Sequence, residues 1–159
     1  MPLVALSAGP AARPPPQFSY TMSRAVWRRI VSACHGRHEE RCALLFGRGR
    51  RIERLRWLRN RDPLPELACT SHPDQRVRIW RQERSQGWVL LGHFHSHTAG
   101  PAVPSRADCA IRDRLLVIYS DVYADLRAWR VKRTSPQTLR AERGIQIDGS
   151  DRAQRVSRR

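Results

Sequence analysis

Lysine is nearly missing from this sequence: of 30 basic residues only Lys132 is a lysine, which leaves 29 arginines. Against 14 acidic residues the formal charge is +16. Positive charge of this density neutralises phosphate and so admits nucleic acid as a partner. The distribution points elsewhere. Arginines run from Arg13 to Arg159, often at every third or fourth residue, rather than in one block. Basic patches built for polyanions usually mix Lys with Arg, and an Arg-only bias also follows from GC-rich coding. Neither Arg48-Gly49-Arg50-Arg51 nor the 152–159 stretch carries interleaved aromatics on which bases would stack. A solvated charged surface is therefore the preferred reading, with non-specific nucleic-acid binding through that surface as the alternative.

Other shortages exclude more. No apolar run approaches the roughly 18 residues of a membrane span, and the first residues are too short and lack the charged flank of a signal peptide. The four cysteines (Cys34, Cys42, Cys69 and Cys109) form no C-x-x-C pair, which argues against a thiolate zinc site or a thioredoxin-like centre. Their spacing suggests no disulfide framework either, so free buried thiols in a reducing cytoplasm are expected. There is no internal repeat. Hydrophobic residues make up 40%, below the usual globular share, and part of that deficit lies at the two ends. Residues 1–21 read as a disordered Pro/Ala-rich leader, 22–133 as the folded domain, and 134–159 as a basic, disordered tail.

Within the middle segment, Ser23 opens an amphipathic helix with Val26, Ile30 and Cys34 at i, i+4 and i+8, which Gly36 ends. Cys42 to Gly47 reads as a buried strand, and Arg51 to Leu58 as a second strand that is bulged or at an edge. Asp62-Pro63-Leu64-Pro65 is a loop. Pro73 suits the first turn of a helix carrying Val77, Trp80 and Arg84 and ending at Gly87. Trp88 begins a strand that runs to His97. Ser105 opens a short helix to about Arg114, followed by strands at Leu115–Tyr119 and Val122–Val131. Helices alternating with hairpin-linked strands give an α/β fold, a mixed central sheet flanked by helices.

The chemistry lies in the segment from His95 to Asp108. On a strand, residues i and i+2 share a face, so His95 and His97 project together. The Gly- and Pro-bearing loop turns the chain back, and Asp108 on the first turn of the next helix offers an anionic third donor. Three protein donors leave a position for water, the arrangement of catalytic rather than structural zinc. Local physics also allows other readings. A His-x-His pair occurs on ordinary surfaces and in cores, Ser105-x-x-Asp108 is a capping box, and His93 on the same face would make a tri-histidine ribbon.

This segment resembles the JAMM motif of the MPN-domain metallopeptidases, His-x-His, seven residues, Ser, two residues, Asp, at His95, His97, Ser105 and Asp108. Ser96 and Pro104 match its longer form, and Thr98 stands where that form has proline. Glu40-Arg41-Cys42-Ala43-Leu44-Leu45-Phe46-Gly47 is similar to the family's Glu-x-Cys-Gly-x-Leu-x-Gly, with Ala43 for the first glycine; its spacing selects Glu40 over Glu39. The resemblance covers about residues 22–133 and implies a single MPN-like (cytidine-deaminase-like) domain of the prokaryotic JAB type. It implies one Zn²⁺ on His95, His97 and Asp108, with Glu40 as general base and Ser105 as donor to the oxyanion. Nitrogen and oxygen donors leave iron or manganese open. The implied activity is hydrolysis of a peptide or isopeptide bond, with the Gly-Gly tail of a ubiquitin-like sulfur carrier as the expected substrate. The alternatives are a catalytically silent scaffold that binds partner proteins and a basic nucleic-acid-binding protein. His93 and Cys109 are read as packed side chains.

Overall fold

A computed structural model describes residues 20–105, 107–108, 115–130, 140–141 and 145–147. Its elements are β1 (Tyr20–Met22), α1 (Arg24–Cys34), β2 (Cys42–Arg48), β3 (Arg51–Leu58), α2 (Pro73–Ser85), β4 (Val89–His97), β5 (Leu115–Ser120), β6 (Asp125–Arg130), β7 (Arg140–Ala141) and β8 (Ile145–Ile147). The strands form one mixed sheet in the order β7-β6-β5-β4-β2-β3-β1-β8. β2 runs antiparallel to both β3 and β4, whereas β4 and β5 are parallel. This is the expected α/β architecture.

α1 forms because Ser23 caps it, its hydroxyl accepting from the Val26 amide at 3.3 Å, and because Val26, Ile30 and Cys34 line one face. That face packs on Met22, Ala43, Leu45, Ile52, Leu55, Phe94 and Val117, the main core. β2 is buried on both faces over its first six residues, which explains its unbroken apolar run. Gly92 is required where β4 meets β5, since a Cβ there would lie 2.0 Å from the Leu115 carbonyl oxygen. Gly49, at φ +56°, makes the turn between β2 and β3.

α2 covers the other face, one register away from the expected one. Ile79 and Glu83 are its buried residues, and Val77 is exposed. Of the expected stripe, Trp80 packs against the Leu44, Phe46 and Ile79 cluster, whereas Val77 and Arg84 are exposed, because part of the docking is ionic. The fully buried Glu83 carboxylate accepts from the Arg54 guanidinium at 2.9 Å and from that of Arg56, both on β3. Removing one partner of such a pair strands the other's charge.

Three further expectations change. β3 is bulged at Phe46/Gly47 opposite it, but it is no edge, because β1 pairs with its start; Tyr20 and Thr21 thus belong to the sheet rather than to a leader. β7 and β8 lie in the segment expected to lack structure, and β8 pairs in parallel with β1. β6 starts at Asp125 rather than Val122, because residues 121–124 make a turn with Ala124 at φ +46°. The expected helix after Ser105, Cys109, Val131, and most of the leader and tail lie outside the described residues.

Candidate metal centre

β4 delivers the two histidines. Leu44 packs with Ile79 of α2, and His93 stands opposite Leu44 in the ladder, so strand parity puts His93, His95 and His97 on the α2 side of the sheet. The chain then leaves the strand and folds over its end. The Thr98 hydroxyl donates to the Glu66 carbonyl at 2.8 Å, the Ser120 hydroxyl to the Gly100 carbonyl at 2.6 Å, and the Trp129 indole to the Ala102 carbonyl at 2.8 Å. These three bonds tie the 98–105 loop to the facing loop and to the sheet, and they bring Asp108 back to the histidines.

The donor atoms converge. His95 Nε2 and His97 Nε2 are 3.0 Å apart, and Asp108 Oδ2 lies 3.4 Å from the first and 3.8 Å from the second. All donor atoms of this trio fall within 4.8 Å of one another. A tetrahedral cation with bonds of 2.0–2.1 Å spaces its donors about 3.3 Å apart. The trio therefore fits such an ion. Two bare imidazole nitrogens at this separation repel, so either a proton or a cation must lie between them. The His97 ring has its other nitrogen, Nδ1, 2.7 Å from the Pro101 carbonyl oxygen, which can only accept. Nδ1 therefore carries a proton, and in the neutral ring Nε2 presents its lone pair to the cluster. His93 is outside the converging group, so the tri-histidine ribbon does not form.

Asp108 caps its own turn and also faces the histidines. Its Oδ2 accepts from the Ser105 amide at 2.6 Å, and its own amide donates to the Ser105 hydroxyl at 3.3 Å. This is a reciprocal capping box, and the same oxygen faces the histidines. Burial would raise the Asp108 carboxyl, but the facing imidazoles of His95 and His97 outweigh it and hold the group well below the usual carboxylate range.

Glu40 is buried and Glu39 is exposed. Glu40 lies two residues before Cys42, which stands opposite His95. Burial pushes its carboxyl up to about 7, against the pull of His97 and with the help of Asp108 and Asp62. Burial works to lower His97, but the Asp108 carboxylate, the Pro101 carbonyl and the charge of Glu40 outweigh it, and the ring is raised. These shifts fix how metal-free stability responds to pH. Glu40 binds its proton more tightly folded than unfolded, so its contribution is complete below about pH 4.5 and is lost as pH rises toward 7. His97 acts in the same direction, its contribution fading as pH rises through its raised value. Metal-stripped protein is therefore expected to melt lower at pH 8 than at pH 5, by on the order of 2–3 kcal/mol of stability, and Glu40→Gln should flatten most of that slope. Calorimetry of EDTA-treated protein checks this; melting that rises with pH would contradict it.

The expectation of free thiols is corrected at two positions. Cys42 and Cys69 form a disulfide, with Cα atoms 6.1 Å apart, while Cys34 is free and buried. The bond became available because the 59–72 loop folds back beside the start of β2, which no spacing rule predicts. It also removes the thiol argument for a reducing compartment. No helix among the described residues is long and apolar enough to cross a membrane. The Arg48–Arg51 turn lies at the far end of β2 from the cluster, with Arg48 stacked on Trp88 at 4.9 Å.

With this geometry in view, comparison with known proteins finds that residues 23–132 match the family described as prokaryotic homologs of the JAB domain. A desampylase of Pyrococcus furiosus is 29% identical over 104 residues, spanning 64% of this chain and 74% of that protein. A solution structure of a protein from Desulfitobacterium hafniense is similar at TM-score 0.68 and 26% identity, over 80% of this chain and 90% of that one. A JAB1/MPN domain protein from Archaeoglobus fulgidus shares the fold at TM-score 0.53 and 20% identity, over 81% of this chain and 97% of that one.

Proposed function

Because this chain belongs to the prokaryotic homologs of the JAB domain, we propose that it is a zinc-dependent peptidase or isopeptidase, with residues 22–133 as its catalytic unit. The observation that carries the reading is the convergence of His95, His97 and Asp108 within 4.8 Å, beside a buried Glu40 whose charge is felt by His97. In it, those three residues hold one Zn²⁺ per chain. Bound there, the ion supplies Lewis acidity toward the substrate carbonyl and lowers the pKa of water toward about 7.

The remaining work falls to the protein's own groups. Glu40, held near neutrality by burial, takes a proton from the attacking water and returns it to the leaving amine. Ser105 stands next to the donor cluster through its bonds with Asp108 and is assigned as hydrogen-bond donor to the oxyanion. His97, locked by Pro101, keeps its Nε2 unprotonated toward the centre.

The substrate in this reading is the tail of a ubiquitin-like or sulfur-carrier protein ending in Gly-Gly. The likeness to a protein named a desampylase supports a protein substrate. A cytoplasmic setting belongs to the proposal on the apolar-run argument alone. The test is to incubate zinc-loaded protein with a Gly-Gly-tailed carrier fused to a reporter, through either a peptide or an isopeptide bond. Cleavage after the second glycine is expected; a panel of such carriers left intact would overturn the substrate class.

A further inference from the structure

Glu40 lies just outside the sheet, at the end of an exposed connection. Residues 35–39 are exposed, and β2 begins only at Cys42. Strand pairing therefore does not hold it, yet its side chain is buried. Every polar backbone group from the Glu40 amide to the Arg41 carbonyl nevertheless has a partner. The Glu40 amide donates to the Pro65 carbonyl at 2.7 Å. The Glu40 carbonyl accepts from the Asn60 side-chain amide at 3.0 Å. The Arg41 amide donates to the Ser96 hydroxyl at 2.9 Å, and the Arg41 carbonyl accepts from the Ser96 amide at 2.9 Å.

The two side chains in this set are themselves firmly seated. Asn60 also donates to the Ala68 carbonyl at 2.8 Å, and its Oδ1 accepts from the Asp62 and Thr70 amides at 3.0 and 3.1 Å, so it is the hub of the 59–72 loop. Ser96 is 2% exposed and lies in sequence between His95 and His97. Its backbone is thus part of the piece that carries both histidines, and its hydroxyl reaches across to the residue after Glu40.

We infer that Asn60 and Ser96 are positioning residues that clamp Glu40, Asn60 from the loop side and Ser96 from the histidine strand. The inference rests on the peptidase reading for its catalytic consequence but not for its structural one. A proton-transfer group displaced by about 1 Å can lose on the order of 100-fold in rate. Neither side chain is among the converging donors, so their loss should act on kcat and spare the cation.

The experiment uses zinc-loaded full-length protein with Asn60→Ala, Ser96→Ala and the conservative Ser96→Thr. Each alanine variant is expected to lower kcat by roughly 10- to 100-fold, with KM within about threefold and metal content as in the wild type; Ser96→Thr, which keeps the hydroxyl, should recover most of the rate. In a Glu40→Gln background the alanine substitutions should cost nothing more, because what they position is already gone. A merely structural role would lower that residual rate as well. Amide hydrogen exchange, which needs no activity, completes the test. Arg41 in Ser96→Ala should exchange at least tenfold faster, while Leu44 and Leu45 keep their protection. Unchanged exchange at Arg41, wild-type kcat in both alanine variants, rate loss that tracks metal loss, or additivity with Glu40→Gln would each overturn the inference. Wild-type protein without hydrolytic activity, but with the expected exchange pattern, would instead refute the peptidase reading and leave the clamp standing.

Discussion

Glu40→Gln is expected to lower kcat by on the order of 10²- to 10⁴-fold while leaving bound zinc at the wild-type level. The substitution keeps the shape of the side chain and removes its ability to take a proton. Glu40 is not among the converging donors, so the cation should be indifferent to the change. In the metal-free protein burial pushes its carboxyl up to about 7, as suits a proton acceptor. Steady-state kinetics with metal analysis on the same preparation checks the prediction. A variant that loses zinc in step with activity would show Glu40 to be a ligand, and one that keeps full activity would remove it from the reaction.

The second large effect is expected at Asp108. Asp108→Ala removes an anionic donor and also the acceptor for the Ser105 amide, so activity, metal and the Ser105–Asp108 turn should fail together. Asp108→Asn separates these effects. It can still accept from the Ser105 amide and should melt near the wild type, but it no longer offers the charge that faces both imidazoles. Its zinc affinity should fall by more than the roughly 10- to 100-fold that loss of an outer partner costs. Melting temperature beside zinc affinity distinguishes a ligand from a helix cap.

The parts of this centre that could be read from sequence are those governed by short-range rules. Strand parity alone puts His95 and His97 on one face, and the Ser105-x-x-Asp108 spacing alone predicts the capping box that the structure contains. Spacing alone does not choose between a cap and a metal donor, because the same carboxylate oxygen accepts from the Ser105 amide and faces the histidines. Glu40 was singled out only through resemblance to a family pattern, since nothing in its local sequence says that it will be buried. The features that were missed depend on loop conformation or long-range pairing. Asn60 organises its loop through five backbone groups, and Pro101 orients His97 by a carbonyl, a group every residue has. The Cys42–Cys69 bond spans 27 positions and requires the folded loop. α2 was misregistered because an apolar pattern cannot announce that Glu83 will be buried on two arginines. The short β1 and β8 carry too few residues to show an alternation; β1 is defined by pairing with β3 and β8, and β8 by pairing with β1.

The central claim, that His95, His97 and Asp108 close around one divalent cation, is tested most directly by zinc content after equilibrium dialysis of the wild type beside His95→Ala, His97→Ala and Asp108→Asn, with melting curves to establish that each is folded. One zinc per wild-type chain, and far less than one in each folded variant, is the result this account predicts. A wild-type chain that retains no zinc, or variants that retain it as the wild type does, would contradict it.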